Sequence, residues 1–230
     1  MKDILGQAIY DRYHKLSKHK LWIHNQYGPK EEMPVSTYFR KEDDLPDLEW
    51  HALNECRGKT LDIGAGAGSH SLELQNRGMD ITALDISPLA VEVMRKRGLQ
   101  QAIEADIFTY TGPKYDTLLL LMNGIGLTGS LENLANFLQY AKTLLAPGGQ
   151  LLFDSSDIAY LYEGNPPQDR YYGEIKYQYE YKGKKTDWFN WLYVDEHTLT
   201  DVAKKTGWST DILVDDEYGQ YLARLQPIAE

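Results

Sequence analysis

The sequence predicts an α/β fold built on a parallel sheet, on three observations. Strand-like and helix-like patterns alternate from Lys59 to Asp154. Glycine stands just past helix ends, at Gly78 and Gly98, where a left-handed cap is expected. Leu118 to Met122 is the longest apolar run, too short to cross a bilayer and of the kind buried on both faces of a sheet. Strands joined by helices at this spacing require crossover connections, which make neighbouring strands parallel.

Taken in order, Ile4, Leu5, Ala8, Ile9 and Leu16 recur at helical spacing, so residues 1–27 predict an amphipathic helix followed by a polar, His-rich stretch. Gly28-Pro29 and Met33-Pro34 break regular structure, and Asp43-Asp44-Leu45-Pro46 opens a second helix through Leu53. Thr60 to Ile63 is a strand, Ser69 to Arg77 a helix, Asp80 to Leu84 a strand and Pro88 to Arg97 a helix. Further strands fall near Gln101 to Glu104, at Thr117 to Met122 and at Gln150 to Asp154, with a helix from Leu131 to Leu145 between the last two. After Asp154 the rhythm changes. Two aromatic runs, Tyr171 to Tyr181 and Trp188 to Val194, flank Lys182-Gly183-Lys184-Lys185 and predict a hairpin. A helix at Asp195 to Thr206 and strands near Thr210 to Val214 and Gln220 to Leu225 close the chain.

At 230 residues, with 42% hydrophobic and 25% charged residues, the composition is that of an ordinary globular protein with one sizeable core. The net charge of −10 argues against sequence-independent nucleic-acid binding, which depends on Lys and Arg neutralising phosphates. The start of the chain lacks the apolar core of a signal peptide, and the single cysteine, Cys56, cannot form an internal disulfide. Together they predict a cytoplasmic protein without a membrane segment.

Chemistry concentrates after the first strand of the alternating region. Leu61-Asp62-Ile63-Gly64-Ala65-Gly66-Ala67-Gly68 sits between a strand and a helix, where three glycines let the backbone turn tightly and a ligand approach closely. Asp85 ends the next strand, 21 positions beyond Gly64, the place from which an acidic residue accepts hydrogen bonds from ribose hydroxyls. A dinucleotide site needs G-x-G-x-x-G to seat a pyrophosphate on the helix N-terminus. Here the spacing is G-x-G-x-G with Ser69 at the sixth position, and Asp62 would repel a phosphate. The same carboxylate suits a cationic amino-acid group, which favours S-adenosylmethionine, a nucleoside with an ammonium and a sulfonium and no phosphate.

From Lys59 to Asp154 the chain resembles the class I S-adenosylmethionine-dependent methyltransferases. Five segments carry the likeness in order: Leu61 to Gly68, Ile81 to Ser87, Glu104-Ala105-Asp106-Ile107, Tyr115-Asp116 through Met122-Asn123-Gly124, and Leu145-Ala146-Pro147-Gly148-Gly149. The resemblance implies a Rossmann-like, seven-stranded, mostly parallel sheet with an antiparallel last strand and helices on both faces. It implies one methyltransferase domain over 1–230: an N-terminal helical cap or lid (1–57), a cofactor-binding core (58–156), an inserted loop and aromatic β-hairpin (157–194), and a C-terminal helix with a strand pair (195–230). By the same resemblance Gly64, Ala65, Gly66 and Gly68 would line the methionine portion, with Asp62 near its ammonium. Asp85 would hold the ribose, Ile86 would pack on adenine, Asp106 would accept from the adenine amino group beside the Ile107 amide, and Asn123 would offer its carbonyl to the ammonium. The family's habit would bring Tyr10, Tyr13, Tyr38 or Phe39 over the site.

The reaction implied is direct attack of a small-molecule acceptor on the sulfonium methyl. No residue is assigned as its base. His70 fits a packing or capping role at its helix start, His14, His19 and His24 do not share a helix face and form no metal site, and Cys56 lacks a partner at metal-binding spacing. Asn165-Pro166-Pro167-Gln168 is similar to the Asn-Pro-Pro-Tyr motif of nucleic-acid amino methyltransferases, but it lacks the aromatic, follows the fifth strand and is read as a loop. The aromatics of the hairpin divide between a core and a substrate-pocket reading. Two alternatives stay open on the residues alone: a non-catalytic S-adenosylmethionine-binding module, and a nicotinamide-dependent oxidoreductase, which the glycine spacing and Asp62 oppose.

Overall fold

The structure, a computed structural model, describes residues 2–228. Helix α1 (Ile4–Tyr13) starts at Asp3, whose carboxylate accepts the Gly6 amide and so satisfies one of the four orphan donors of a helix start. Strands β1 (Leu21–Asn25) and β2 (Glu31–Met33) follow, then short 3-10 turns at Val35–Phe39 and Glu42–Asp44, and helix α2 (Asp47–Glu55) after Pro46. The alternating region comes next: β3 (Thr60–Ile63), α3 (Ser69–Asn76), β4 (Ile81–Asp85), α4 (Pro88–Lys96), β5 (Ala102–Glu104), β6 (Tyr115–Leu120), α5 (Leu131–Lys142) and β7 (Leu145–Ser156). After it come β8 (Glu174–Tyr181), β9 (Lys184–Lys185), β10 (Phe189–Leu192), α6 (Glu196–Lys205), β11 (Trp208–Asp215) and β12 (Gln220–Pro227).

Seven strands form one sheet in the order β11-β12-β7-β6-β3-β4-β5. Pairs β4/β5 and β6/β7 run parallel, while β12, last in the chain, runs antiparallel to both β7 and β11. The expected α/β class and the antiparallel last strand are both found. Leu118 to Leu120 in β6 and Leu151 to Phe153 in β7 are fully buried, as strands covered on both faces require. The helices begin and end as their sequences direct. Ser87 caps α4 by accepting the Ala90 amide, with Pro88 at the first position and Arg95 and Lys96 in the last turn. Ser130 caps α5, which buries Leu134, Phe137, Leu138 and Ala141 along one stripe.

The N-terminal expectation needs correction. Residues 21–25 are a strand and not part of a polar tail, and β1 pairs antiparallel with β2 and with β8, placing Ile23 opposite Tyr179. A strand whose main partner lies more than 150 positions away leaves little local trace in five residues. The second helix begins at Asp47 because Pro46 ends the preceding turn, leaving Glu42–Asp44 as a separate 3-10 turn. Strand β6 stops at Leu120, since Met122 and Asn123 take left-handed backbone conformations. The hairpin forms, with Tyr181 opposite Lys184, and β10 lies on the same edge of β8 as β9, opposite β1, so the second sheet runs β10-β8-β1-β2 with β9 on β8.

Contacts divide the chain into two compact units. One takes residues up to Leu45, Asp62–Tyr110 and Lys176–Phe189; the other takes Pro46–Leu61, Thr111–Ile175 and the chain from Asn190 onward. In the first unit α1 has two apolar faces. Ile9 packs with Ala67 and Val93, joined by Tyr10, Tyr13, Tyr38 and Phe39, while Ile4 and Ala8 pack with Leu21 and Tyr181. Between them Asp11, 2% exposed, receives Lys182 Nζ at 2.5 Å, Gln7 Nε2 at 2.9 Å and the Tyr181 hydroxyl at 3.1 Å. Burial alone would raise its pKa, but these donors outweigh burial and hold the carboxyl below its ordinary range. Replacing Asp11 by alanine strands those donors, so Asp11→Ala should lower stability by about 1–3 kcal/mol at neutral pH, measured by denaturant unfolding.

Candidate functional site

The turn after β3 bends on three glycines. Gly64, Gly66 and Gly68 have φ of +74°, +58° and +80°, conformations that a Cβ makes costly. The Gly64 and Ala65 amides both donate to the Leu84 carbonyl, at 2.8 and 3.1 Å, so the turn is stitched to the end of β4. Two more amides fix the residue that follows Leu84. Gly66 donates to Asp85 Oδ2 and Ser87 to Asp85 Oδ1, each at 2.8 Å. Each oxygen accepts one backbone N–H and keeps a further lone pair. A Cβ on Gly64 would meet nothing within 4 Å, whereas one on Gly66 would stand 2.9 Å from Tyr38 Cδ1. The backbone is therefore bare over Gly64 and covered by a tyrosine ring over Gly66.

Tyr38 is one of the four aromatics expected over the site, and its segment is pinned there. Ser69 Oγ donates to the Tyr38 carbonyl at 2.7 Å, Arg97 Nη1 donates to the Ala67 carbonyl at 2.6 Å, and the Arg97 guanidinium lies over the Phe39 ring. Tyr10 and Tyr13 pack in the same cluster. No motif in the sequence signals these contacts, because they join residues about 30 to 60 positions apart.

Asp62 is 2% exposed and accepts Ser71 Oγ at 2.6 Å, so its carboxylate is turned into the start of α3. Burial raises its pKa, while the charge of a protonated His70 and the bonds from Ser71 lower it. His70 is itself buried at that helix start, in keeping with a packing role. Asp85 is pushed up to about 6, chiefly by burial; the Ser87 and Gly66 amides oppose this, and the carboxylates of Asp3 and Asp62 add to it. The two neighbouring charges that raise Asp85, Asp3 and Asp62, are both negative, which disfavours a phosphate and suits a cation. Ile86 is 69% exposed beside it. The Ala105 amide donates to the Asp85 carbonyl at 3.1 Å and draws in Asp106, which is exposed and accepts the Phe108 amide, and Ile107, 5% exposed. The structure therefore brings Asp62, Gly64, Ala65, Gly66, Gly68, Asp85, Ile86, Asp106 and Ile107 to the carboxyl ends of β3, β4 and β5.

Asn123 belongs to the second unit. It has φ of +53°, directly after Met122 at +61°, and three bonds hold it in that unusual conformation. Its amide donates to Asp154 at 3.0 and 2.9 Å, its Nδ2 to the Leu192 carbonyl at 3.1 Å, and its Oδ1 accepts Ser155 Oγ at 3.0 Å. Its carbonyl accepts the Gly126 amide. In the same unit Tyr171 and Tyr172, which precede β8, converge on Asp195 Oδ2 at 2.6 and 3.1 Å, and Tyr172 also reaches Asp157 Oδ1 at 2.8 Å. Sequence reading grouped these tyrosines with the hairpin; their hydroxyls instead tie the start of α6 to the segment after β7. Two cavities of about 240 and 410 Å³ lie beside α1, sharing Arg12 and Ser36, and neither is lined by a glycine-turn residue. Among the described residues, no group of three or more His, Cys, Asp or Glu is arranged to hold a metal ion.

A family model described as a methyltransferase domain matches residues 38–211, from the Tyr38 segment into β11. The chain belongs to the class I, Rossmann-like methyltransferase family. A crystal structure of an S-adenosylmethionine-dependent methyltransferase from Bacteroides fragilis, in complex with S-adenosyl-L-homocysteine, is 40% identical to this methyltransferase with a TM-score of 0.92, covering 99% of this chain and 96% of that one. The CcbJ methyltransferase from Streptomyces caelestis shares the fold at 13% identity, with a TM-score of 0.63 over 84% of this chain and 98% of that one. A ubiquinone biosynthesis O-methyltransferase from Xanthomonas oryzae pv. oryzae is 27% identical over 131 residues, which cover 49% of this chain and 54% of that protein. The chain thus spans about half the length of the curated relatives it matches.

Asp154, at the end of β7, is also pushed up to about 6, chiefly by burial, with the Asn123 amide opposing and Glu49 adding. Its ordinary value is 3.8, so between about pH 4 and 6 the folded methyltransferase binds a proton at this position that the unfolded chain releases. Its contribution to stability is therefore present at low pH and is lost as pH rises through about 6. Asp154→Asn, which keeps an acceptor for Asn123, should flatten the fall in unfolding free energy between pH 4.5 and 7. Unfolding titrations of the two proteins at both pH values measure the difference.

Proposed function

We propose that this chain is an S-adenosylmethionine-dependent methyltransferase, working in the cytoplasm on a small-molecule acceptor by direct in-line displacement. The observation that carries the reading is the Asp85 carboxylate, aligned by the Gly66 and Ser87 amides at the rim of a bare glycine turn. Two oxygens with a lone pair each to spare match the two hydroxyls of a ribose. The open backbone at Gly64, together with Ala65, Gly66 and Gly68, is the cradle for the methionine portion. In this reading exposed Ile86 meets the adenine face, Asp106 accepts from its amino group beside the Ile107 amide, and Asp62 supplies negative potential toward the ammonium from within.

When bound, the donor supplies a methyl group already activated on a sulfonium sulfur. The protein's task is then to hold the acceptor's nucleophile in line with that methyl and to keep water out. The negative field of Asp62, Asp85 and Asp3 favours a cationic ligand over a pyrophosphate-bearing one, which supports this donor over a nicotinamide cofactor. The net charge of −10 supports a small acceptor over a nucleic acid. A cytoplasmic setting rests on the single cysteine, and no helix among the described residues is long and apolar enough to cross a membrane.

Calorimetric titration with S-adenosylhomocysteine tests the site. The wild-type chain should bind it, and Asp85→Ala should weaken binding by about 1–3 kcal/mol, because two ribose hydroxyls lose their acceptor. Equal affinity in the two proteins would sink the assigned contact. Transfer of labelled methyl from S-adenosylmethionine, followed across a panel of small hydroxyl and amine acceptors, tests the activity.

A further inference from the structure

The glycine turn and Asp85 account for the cofactor site as a sequence motif, but the structure ties them to a residue far outside it. Ser87 Oγ donates to Asp3 Oδ2 at 2.7 Å, while the Ser87 amide donates to Asp85 Oδ1 at 2.8 Å. The other Asp3 oxygen accepts the Gly6 amide at 2.9 Å and caps α1. One carboxylate thus joins the start of α1 to the start of α4, and the residue between them holds the proposed ribose acceptor. Gly6 is what lets the two helix starts meet. A Cβ there would collide with Ser87 Oγ and with the Asp3 carboxylate, although glycine is a poorer helix former than alanine.

We propose that Asp3 is a positioning residue for the cofactor: through Ser87 it fixes the turn that aims the Asp85 carboxylate, so residues 3–6 are part of the S-adenosylmethionine site. The inference rests on the proposed function and adds to it a charge role. The groups facing Asp85 are Asp62 from β3, Asp3 from the cap of α1, Tyr38 from the 3-10 turn, and the amides of Gly66 and Ser87. Asp3 is the only one of the two neighbouring carboxylates that also holds a bond to the Asp85 turn, so its charge and its geometry act at the same point.

A role confined to capping and one in positioning make different demands. Serine caps a helix as well as aspartate but is one bond shorter, so Asp3→Ser keeps the cap and loses the reach to Ser87. Asparagine keeps the cap through Oδ1 and removes the charge, and its Nδ2 can meet Ser87 Oγ only as a donor, so that bond spans the same gap with its direction reversed. With S-adenosylhomocysteine as the probe in calorimetry on the full chain, Asp3→Ser should raise Kd about tenfold while the ligand-free protein stays folded, its melting temperature lowered only by the lost bond to Ser87. Ser87→Ala should give a similar loss, and the double variant Asp3→Ser/Ser87→Ala should bind no more weakly than the worse single one, since both break the same bond. Gly6→Ala should weaken binding despite its better helix propensity. Asp3→Asn should bind more tightly than Asp3→Ser at pH 7.5, and its loss of binding on acidification should move to lower pH than in the wild type, because Asp85 no longer has that charge beside it. Wild-type affinity in Asp3→Ser and Gly6→Ala, or an unmoved acid limb in Asp3→Asn, overturns the role of Asp3 while leaving the cofactor reading intact. If the wild-type chain fails to bind S-adenosylhomocysteine at all, both fall together.

Discussion

The Asp85 carboxylate takes one backbone N–H from the glycine turn and one from the start of α4, and in doing so locks two loops to the end of a single strand. Apart from the buried Ala67 and the Ser87 hydroxyl, neither loop has a side chain of its own that would hold it there. The glycine turn lacks them by necessity, since it must present bare backbone, and the Asp85 to Ser87 bend is too short to pack. A charged acceptor makes stronger hydrogen bonds than a neutral one, so one ionisable group supplies the rigidity that packing cannot. That arrangement also decides where the spare lone pairs face, so in the proposed function one residue serves as both structural clamp and ribose contact.

Much of this was legible in the sequence because its determinants are local. Strand β3, the glycine turn, α3 and β4 lie within Thr60 to Asp85 and follow short-range rules: an apolar run, glycines where φ must be positive, an acidic residue at a strand end. The same is true of α4, whose Ser87-Pro88 start is a capping signal. What escaped is non-local. Strand β1 exists because β8 offers it a partner, and Tyr38 covers Gly66 because Ser69 and Arg97 hold the Tyr38 carbonyl and its neighbours. The one local hint was Gly6, an unforced cost inside an otherwise good helix that makes sense only once Ser87 is seen against it.

The aromatic-rich segment shows how a compositional signal can be correct in kind and divided in use. Tyr177 and Tyr179 lie in β8 and stack near Phe189, as cross-strand aromatics do. Tyr171 and Tyr172 sit before the strand and spend their hydroxyls on Asp195 and Asp157. Alternation could not separate the two groups, since the strand begins at Glu174 and period-two patterning says nothing about a residue upstream of it. Burial and the Asp195 carboxylate raise the pKa of both hydroxyls, which makes them donors that stay protonated and not bases.

The electrostatics of the glycine turn point beyond stability. Asp62 is buried, Asp85 is half-buried beside it, and Asp3 adds a third carboxylate to the same neighbourhood. Folding alone would not select such a group, because like charges in a low-dielectric setting oppose each other and the compact state bears the cost. The surrounding backbone bonds are strong enough to hold it together, but none of them neutralises it. A ligand bringing positive charge relieves the repulsion, whereas one bringing a diphosphate deepens it. On the proposed function, the unfavourable term in the free protein becomes a favourable term in binding and helps to discriminate between two nucleosides whose ribose and adenine contacts would otherwise be alike. Local frustration of this kind, in a site whose other features obey ordinary rules of turns and caps, fits the cationic donor proposed above.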